Sequence, residues 1–391
     1  MLRKIFSHPY RGFVGSRYPP MILAYRGYGT PKKLYLRGRV LEDQGINPAA
    51  EGDSAWHNLV DTVKRFTSDG IPHARVRASF QNIEREFVAD SAGYFEVWIE
   101  PPQPLPDDRL WHEIKLELLE PRRRGAKSMV ATGSVLVPPS NAQFVVISDI
   151  DDTVIQTDAV NLLRMARIVF LGNARTRLPL KGVAGFYRAL YHGTGQTGVN
   201  PLFYISNSPW NLYDLLSEFF NLNDIPIGPV LFLRRWSLTR FNELPMRIRE
   251  HKLSTARNML KSFPDLPFIL IGDSGERDPE FYTQLVQEFP KRIRAIYIRN
   301  ASRNLQRPAQ IKALADKVIQ AGSTLILADD TWPMAQHAAQ QGWITESSMA
   351  EINAERQKDA VPPNPIEQLL GQEKPAAAPT VVIDGKPAEN P

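Results

Sequence analysis

The chain contains no cysteine, which excludes disulfides and thiolate metal sites. A cytoplasmic location is the expectation that goes with this. No apolar run is long enough to cross a bilayer: Phe144–Ser148 and Ile168–Leu171 fall far short of the roughly 20 residues required. Arg3 and Lys4 are followed by no apolar stretch, so no secretory signal is expected. Acidic residues are missing from residues 1–41, which carry nine Lys or Arg (Arg3, Lys4, Arg11, Arg17, Arg26, Lys32, Lys33, Arg37, Arg39). Tyr10, Tyr18, Tyr25, Tyr28 and Tyr35 are interleaved with them. Such a segment suits an anionic membrane surface or a polyanion. A solvated basic arm with no specific partner accounts for it equally well.

What is present has the apolar and charged fractions of a globular protein, with a net charge of +5. At 391 residues, two domains are expected, each able to bury a core. From Tyr25 to Val137 the apolar period is two. Leu34, Leu36, Gly38 and Val40 alternate with Tyr35, Arg37 and Arg39, and the pattern returns at Val76–Phe80, Phe95–Ile99 and Ile114–Leu118. Turn signals such as Asp90-Ser91-Ala92-Gly93 separate the runs. This predicts an antiparallel β-sandwich over 25–141, after a basic arm at 1–24. His57, His73 and His112 have no ligand-like spacing and read as ordinary structural residues.

After the linker-like Val137-Pro138-Pro139-Ser140-Asn141 the pattern changes. Apolar runs (Phe144–Ser148, Leu202–Ser206, Val230–Leu233, Phe268–Gly272, Ile293–Ile298, Thr324–Ala328) alternate with helical stretches, among them Pro209–Phe220, Lys252–Phe263, Asp278–Phe289 and Pro308–Gln320. That alternation predicts a parallel sheet with helices on both faces over 142–345, where ligands bind beyond the carboxyl ends of the strands. Residues 356–391 are rich in Pro and Ala and are expected to form a disordered tail.

Reactive groups stand where these strands end or helices begin. Asp149, Asp151 and Asp152 fall within four positions in Asp149-Ile150-Asp151-Asp152-Thr153. Carboxylates this close raise one another's pKa, which points to a bound cation or to two acids in different protonation states. Ser206 follows an apolar run in Phe203-Tyr204-Ile205-Ser206-Asn207-Ser208-Pro209. Lys252 opens a predicted amphipathic helix, and Asp273 and Asp278 lie in Ile271-Gly272-Asp273-Ser274-Gly275-Glu276-Arg277-Asp278. Each has a plainer reading: Thr153 as a turn cap, Ser208-Pro209 and Asp278-Pro279 as helix starts, Lys252 as a surface lysine. Four such places in this order are hard to obtain by accident.

The order Asp-x-Asp-x-Thr, Ser, Lys, Gly-Asp-Ser-x-x-x-Asp resembles the haloacid dehalogenase superfamily of aspartyl phosphotransferases. The segments Ser148–Val154, Tyr204–Trp210 and Ile271–Gly275 are similar to the catalytic domain of the actin-patch type of phosphatidate phosphatase. This resemblance covers roughly residues 130–335. It implies a Rossmann-like fold and a Mg²⁺-dependent hydrolysis yielding diacylglycerol and phosphate through an aspartyl phosphate. In its terms Asp149 is the nucleophile and Asp151 the general acid and then base. Asp149, Asp151 (through its carbonyl), Asp273 and Asp278 surround the metal. Thr153, Ser206, Asn207 and Lys252 face the phosphoryl oxygens, with Lys261 the alternative to Lys252. Asp152 receives no role.

About fifty residues separate Thr153 from Ser206, and Ser206 from Lys252, which leaves no room for a large cap domain. In the superfamily, members without such caps tend to act on substrates too large to enclose. A lipid head group fits, and so does a phosphoprotein or nucleic-acid end, though no interleaved aromatic and basic groove favours nucleic acid. Val160–Leu171 mixes aliphatic bulk with Arg164 and Arg167. A core-packing helix with snorkelling arginines is preferred there over a membrane-facing flap. Peripheral membrane association and an anionic phospholipid partner follow from the resemblance. A non-enzymatic adapter is the remaining alternative, disfavoured because the nucleophile and metal carboxylates are all present.

Overall fold

The computed structural model describes residues 18–43, 70–107, 109–121, 128–150, 180–195, 199–210, 213–234, 245–302 and 304–360. The chain divides into two units, Met1–Val137 and Pro138–Pro391.

Eight strands build the first unit: β1 (Pro20–Ala24), β2 (Gly27–Thr30), β3 (Lys33–Glu42), β4 (Arg75–Phe80), β5 (Ile83–Val88), β6 (Tyr94–Ile99), β7 (Trp111–Glu120) and β8 (Met129–Leu136). Their alternation is the one expected. In β3, Leu34, Leu36, Gly38 and Val40 are buried, while Tyr35, Arg37 and Arg39 are half-buried on the other face. Strand structure begins at Pro20, ahead of residue 25.

The antiparallel pairing expected of a β-sandwich is found throughout the described strands except between β2 and β8. The strands form one sheet in the order β1-β3-β2-β8-β7-β4-β5, with β6 on the other edge of β3. It is mixed, because β2 runs parallel to β8 with Gly27 opposite Val135. The ten-residue β3 is long enough to pair with β1 at one end and β2 at the other. Gly27 allows the close approach, since a Cβ there would lie 2.0 Å from the Tyr35 carbonyl oxygen. The sheet curls until β5 and β6, at opposite ends of the order, come into contact. Its core gathers Leu36, Val76, Val97, Ile114 and Leu116. A period of two reports which face a residue takes; it carries no information on which strand lies alongside or in which direction.

The second unit has a six-stranded, fully parallel sheet: β9 (Val145–Asp149), β10 (Leu202–Pro209), β11 (Val230–Arg234), β12 (Phe268–Asp273), β13 (Ile293–Arg299) and β14 (Thr324–Ala328). Every residue of β9 and β12 is buried, which explains why they read as continuous apolar runs. The helices are α1 (Val183–His192), α2 (Tyr213–Leu222), α3 (Pro245–Ser262), α4 (Asp278–Glu288), α5 (Arg307–Gln320), α6 (Trp332–Gln340) and α7 (Glu346–Ala360). Helices α1, α6 and α7 pack together as one group, and α3, α4 and α5 as another.

Strand order is β11-β10-β9-β12-β13-β14. From β9 the chain moves outward to β11, then returns to the opposite side of β9 with β12. The crevice at such a reversal is where open α/β sheets bind ligands. Asp149 ends β9 and Asp273 ends β12, so both stand at the switch point.

Two local expectations are revised. Helix α3 begins at Pro245, so Lys252 lies inside it instead of opening it. Helix α7 continues to Ala360, past the point where an irregular tail was expected. It is held there by Asp359, which accepts the Gly182 N–H at 2.8 Å, and by Arg188, bound to Glu351 at 2.7 Å.

Candidate active site

The site starts from two strand tips. Ser148 fixes the end of β9: its hydroxyl donates to the Asp149 carbonyl at 2.7 Å and lies 2.6 Å from the Tyr187 hydroxyl of α1. Tyr282 of α4 donates to the Ile271 carbonyl at 3.1 Å and ties that helix to β12. Between the tips, the Asp273 carboxylate turns back on its own loop and accepts the amides of Gly275 at 2.6 Å and Glu276 at 3.0 Å. Gly272 has a steric reason to be glycine, because a Cβ there would meet Asp278 Oδ2 at 2.3 Å. Any side chain would push Asp278 out of the site.

Lys252 enters from α3 and is buried. Its Nζ lies 2.7 Å from Asp149, 2.6 Å from Glu276 and 3.2 Å from Asp278. Burial alone would lower its pKa, but Asp149, Asp278 and Glu276 outweigh that and hold it well above the ordinary lysine value. Asp149, Asp273 and Asp278 each offer a carboxylate oxygen, all within 4.8 Å of one another. Burial, reinforced by the Asp278 charge, pushes Asp273 up to about 7. Asp278 is raised by burial as well, although Lys252 opposes the shift.

One ammonium cannot neutralise this many acids. Asp273 Oδ2 is buried and accepts no hydrogen bond among the described residues. Hard carboxylate oxygens converging with excess negative charge are the donor set that a divalent cation takes. The three aspartates therefore fit a metal ion, with Lys252 as the fixed counter-charge beside Asp149.

The loop from Asp273 to Asp278 is tied to its surroundings through Ser274 within it and Arg307 outside it. The Ser274 hydroxyl oxygen accepts the amides of Ala301 and Ser302 at 2.8 and 2.9 Å. Arg307, at the start of α5, donates to the carbonyls of Ser274 at 2.9 Å and Glu276 at 2.8 Å and pairs with Glu280 at 2.5 Å.

Of the residues singled out in the sequence, Asp149, Lys252, Asp273 and Asp278 come together. Ser206 is buried near the tip of β10, one residue past Ile205, which registers with Asp149. Asn207 lies in the backbone of the same strand. Pro209 closes β10, Trp210 already lies in a 3-10 turn, and α2 is described from Tyr213. Lys261 is exposed in the last turn of α3. Asp151, Asp152 and Thr153, the stretch Val160–Leu171, most of the N-terminal arm and the residues after Ala360 lie outside the described residues. Glu276 was missed. Its signal was visible, since it is the acid between the two motif aspartates.

Comparison with known proteins falls on the same stretch. Residues 144–300 match the family model described as phosphatidate phosphatase APP1, catalytic domain. Phosphatidate phosphatase APP1 of Saccharomyces cerevisiae is 38% identical over 160 residues, which are 41% of this chain and 26% of that protein. A Schizosaccharomyces pombe protein described as uncharacterized is 32% identical over 160 residues, 40% of this chain and 25% of its own length. The chain thus spans about a quarter of the length of the curated relatives it matches. The resemblance to this catalytic domain, first carried by short motifs, holds over the whole stretch that builds the site. The first unit lies outside the match. Among solved structures, a β-glucuronidase of Parabacteroides merdae aligns with 78% of this chain and 39% of its own, at a TM-score of 0.25 and 8% identity, too weak a likeness to carry an argument.

Proposed function

We propose that the second unit is a Mg²⁺-dependent phosphatidate phosphatase of the haloacid dehalogenase type, without a large cap, working through an aspartyl phosphate. One observation supports this above the others: Lys252 Nζ lies 2.7 Å from Asp149 at a strand tip, with the carboxylates of Asp273 and Asp278 beside it. The match of residues 144–300 to the phosphatidate phosphatase catalytic domain supports the choice of substrate.

An Asp149 carboxylate oxygen attacks phosphorus opposite the ester oxygen; the new P–O bond forms as the P–O bond to diacylglycerol breaks. Asp151 gives its proton to the departing alkoxide. It then takes a proton from the water that cleaves the acyl phosphate, which restores Asp149 and releases inorganic phosphate. Lys252, kept charged by its carboxylate neighbours, holds Asp149 in place and faces the phosphoryl oxygens, as do Ser206, Asn207 and Thr153. Asp149, Asp273, Asp278 and the Asp151 carbonyl would hold Mg²⁺, which when bound offsets the phosphoryl charge. The anionic lipid places the protein at a membrane surface for turnover.

The test is Mg²⁺-dependent phosphate release from phosphatidate in mixed micelles and from a small soluble phosphomonoester, with Asp149→Asn as control. Preference for phosphatidate, lost in the variant, supports the proposal. Turnover of the soluble ester alone keeps the site and removes the lipid. Release from neither points to a phosphoprotein or nucleic-acid end, or to a non-enzymatic adapter.

A further inference from the structure

A leucine with nothing to pack on stands at the rim of this site. Leu305 is 90% exposed, well beyond Val88 (62%), Val130 (54%), Leu222 (47%) and Trp98 (42%), the other large exposed apolar side chains among the described residues. Isolated surface leucines are ordinary. What distinguishes this one is its mounting.

Leu305 belongs to the connection from β13 to α5. That connection leaves the sheet at the edge where β12 ends, since Arg299 registers with Asp273. It is bound to the catalytic loop at both ends. Ala301 and Ser302 donate to the Ser274 hydroxyl, and Arg307 donates to the Ser274 and Glu276 carbonyls. Within the connection, Asn304 Oδ1 accepts the Gln306 amide at 2.9 Å, and the Asn304 carbonyl accepts the Arg307 amide at 3.0 Å. Leu305 is therefore presented to solvent by a braced turn, in fixed relation to Asp273.

We propose that Leu305 contacts the lipid bilayer, entering the boundary between head groups and acyl chains so that the site meets a head group at its own depth. This rests on the lipid-phosphatase reading above. The physical reason lies in the substrate: the phosphate that Asp149 must reach is a few atoms from the acyl chains, so the rim of the site has to meet the interface. An aliphatic side chain gains free energy on leaving water there, and a fully exposed one gives up no packing in the fold. One leucine does not anchor a protein of this size. It sets the depth and orientation of the site.

The experiment uses the full chain and phosphatidylcholine vesicles, with and without phosphatidate. In the variant Leu305→Trp, brominated acyl chains should quench the added indole emission, read as the difference from the unsubstituted protein. Leu305→Gln should lower the ratio of activity on vesicular phosphatidate to activity on a short-chain, monomeric phosphatidate by about tenfold, with the monomeric rate unchanged. Absence of quenching, whether or not the protein sediments with vesicles, overturns the proposal, as does an unchanged ratio. If neither form of phosphatidate is hydrolysed, the lipid-phosphatase reading fails, while the quenching still decides whether Leu305 meets the bilayer.

Discussion

The two units treat charge in opposite ways. In the first, charged side chains are kept at the surface of the sheet: Arg75 pairs with Glu86 at 2.6 Å and Glu120 at 2.9 Å, all three well exposed. Among its described residues His112 is the buried polar side chain, against Ser148, Asp149, Ser206, Lys252, Asp273 and Asp278 in the second unit. There the Lys252–Asp149 pair has side-chain exposures of 5% and 1%. Exposed pairs contribute little because water and salt screen them, while buried charges cost desolvation that close partners must offset. A fold that carries such a cluster does so at a cost in stability, and the cluster is retained where it has a use. The contrast sets the second unit apart as the one that holds a buried cluster of charged groups.

The largest effect expected is on turnover. Asp149→Asn should lower Mg²⁺-dependent phosphate release by about 10³-fold or more, with an unchanged circular dichroism spectrum. A variant that kept a tenth of the activity would remove Asp149 from its role. Next comes Lys252→Met, which strands Asp149 and Asp278 without their counter-charge. It should cost about 3–5 kcal/mol in urea unfolding and slow release by about 10²–10³-fold. Wild-type stability after Lys252→Met would mean that the carboxylates are neutral and that the contrast between the units is false.

Saturating Mg²⁺ should raise the unfolding free energy by about 2.7 kcal/mol at a hundred times the dissociation constant, and the rise should vanish in Asp273→Asn. A melting curve indifferent to Mg²⁺ in the unsubstituted protein would leave the three aspartates without a metal. Ser274→Ala removes the acceptor of two backbone amides and should cost about 1–3 kcal/mol, together with some loss of activity as the Asp273 loop loosens. Arg75→Ala marks the bottom of the scale. No resolvable shift in melting temperature is expected, and a large one would show that the first unit's surface pairs matter after all.

Much of the site was legible along the chain because its residues sit at ends of elements whose apolar runs are unmistakable. Asp149 and Asp273 follow fully buried strands, and the six runs read in the second half all became strands of the parallel sheet. Lys252 was recognised through the family order, but its place within α3 was misjudged because Pro245 starts the helix seven residues earlier. Glu276 was passed over: its place between Asp273 and Asp278 marked it as a candidate, but only the fold shows that it faces the Lys252 ammonium. Helix α7 was not read in the sequence, and its end from residue 356 was assigned to an irregular tail: a polar, weakly patterned segment gives little periodic signal, and Asp359 is held by an amide of Gly182 far away in sequence.

The sequence by itself determined the class of each unit, the alternating faces of the first sheet, the buried strands of the second and the order in which the acids appear. These depend on period, run length and local chemistry, which neighbouring residues settle among themselves. Tertiary structure alone decided that the first unit is one curled, mixed sheet, that Gly272 must be bare to admit Asp278, and that Lys252 faces Asp149, Glu276 and Asp278 together. It alone set Leu305 on a turn braced against the loop from Asp273 to Asp278. Such facts depend on contacts between residues tens to hundreds of positions apart, and local preference carries no record of which distant partner a side chain will meet.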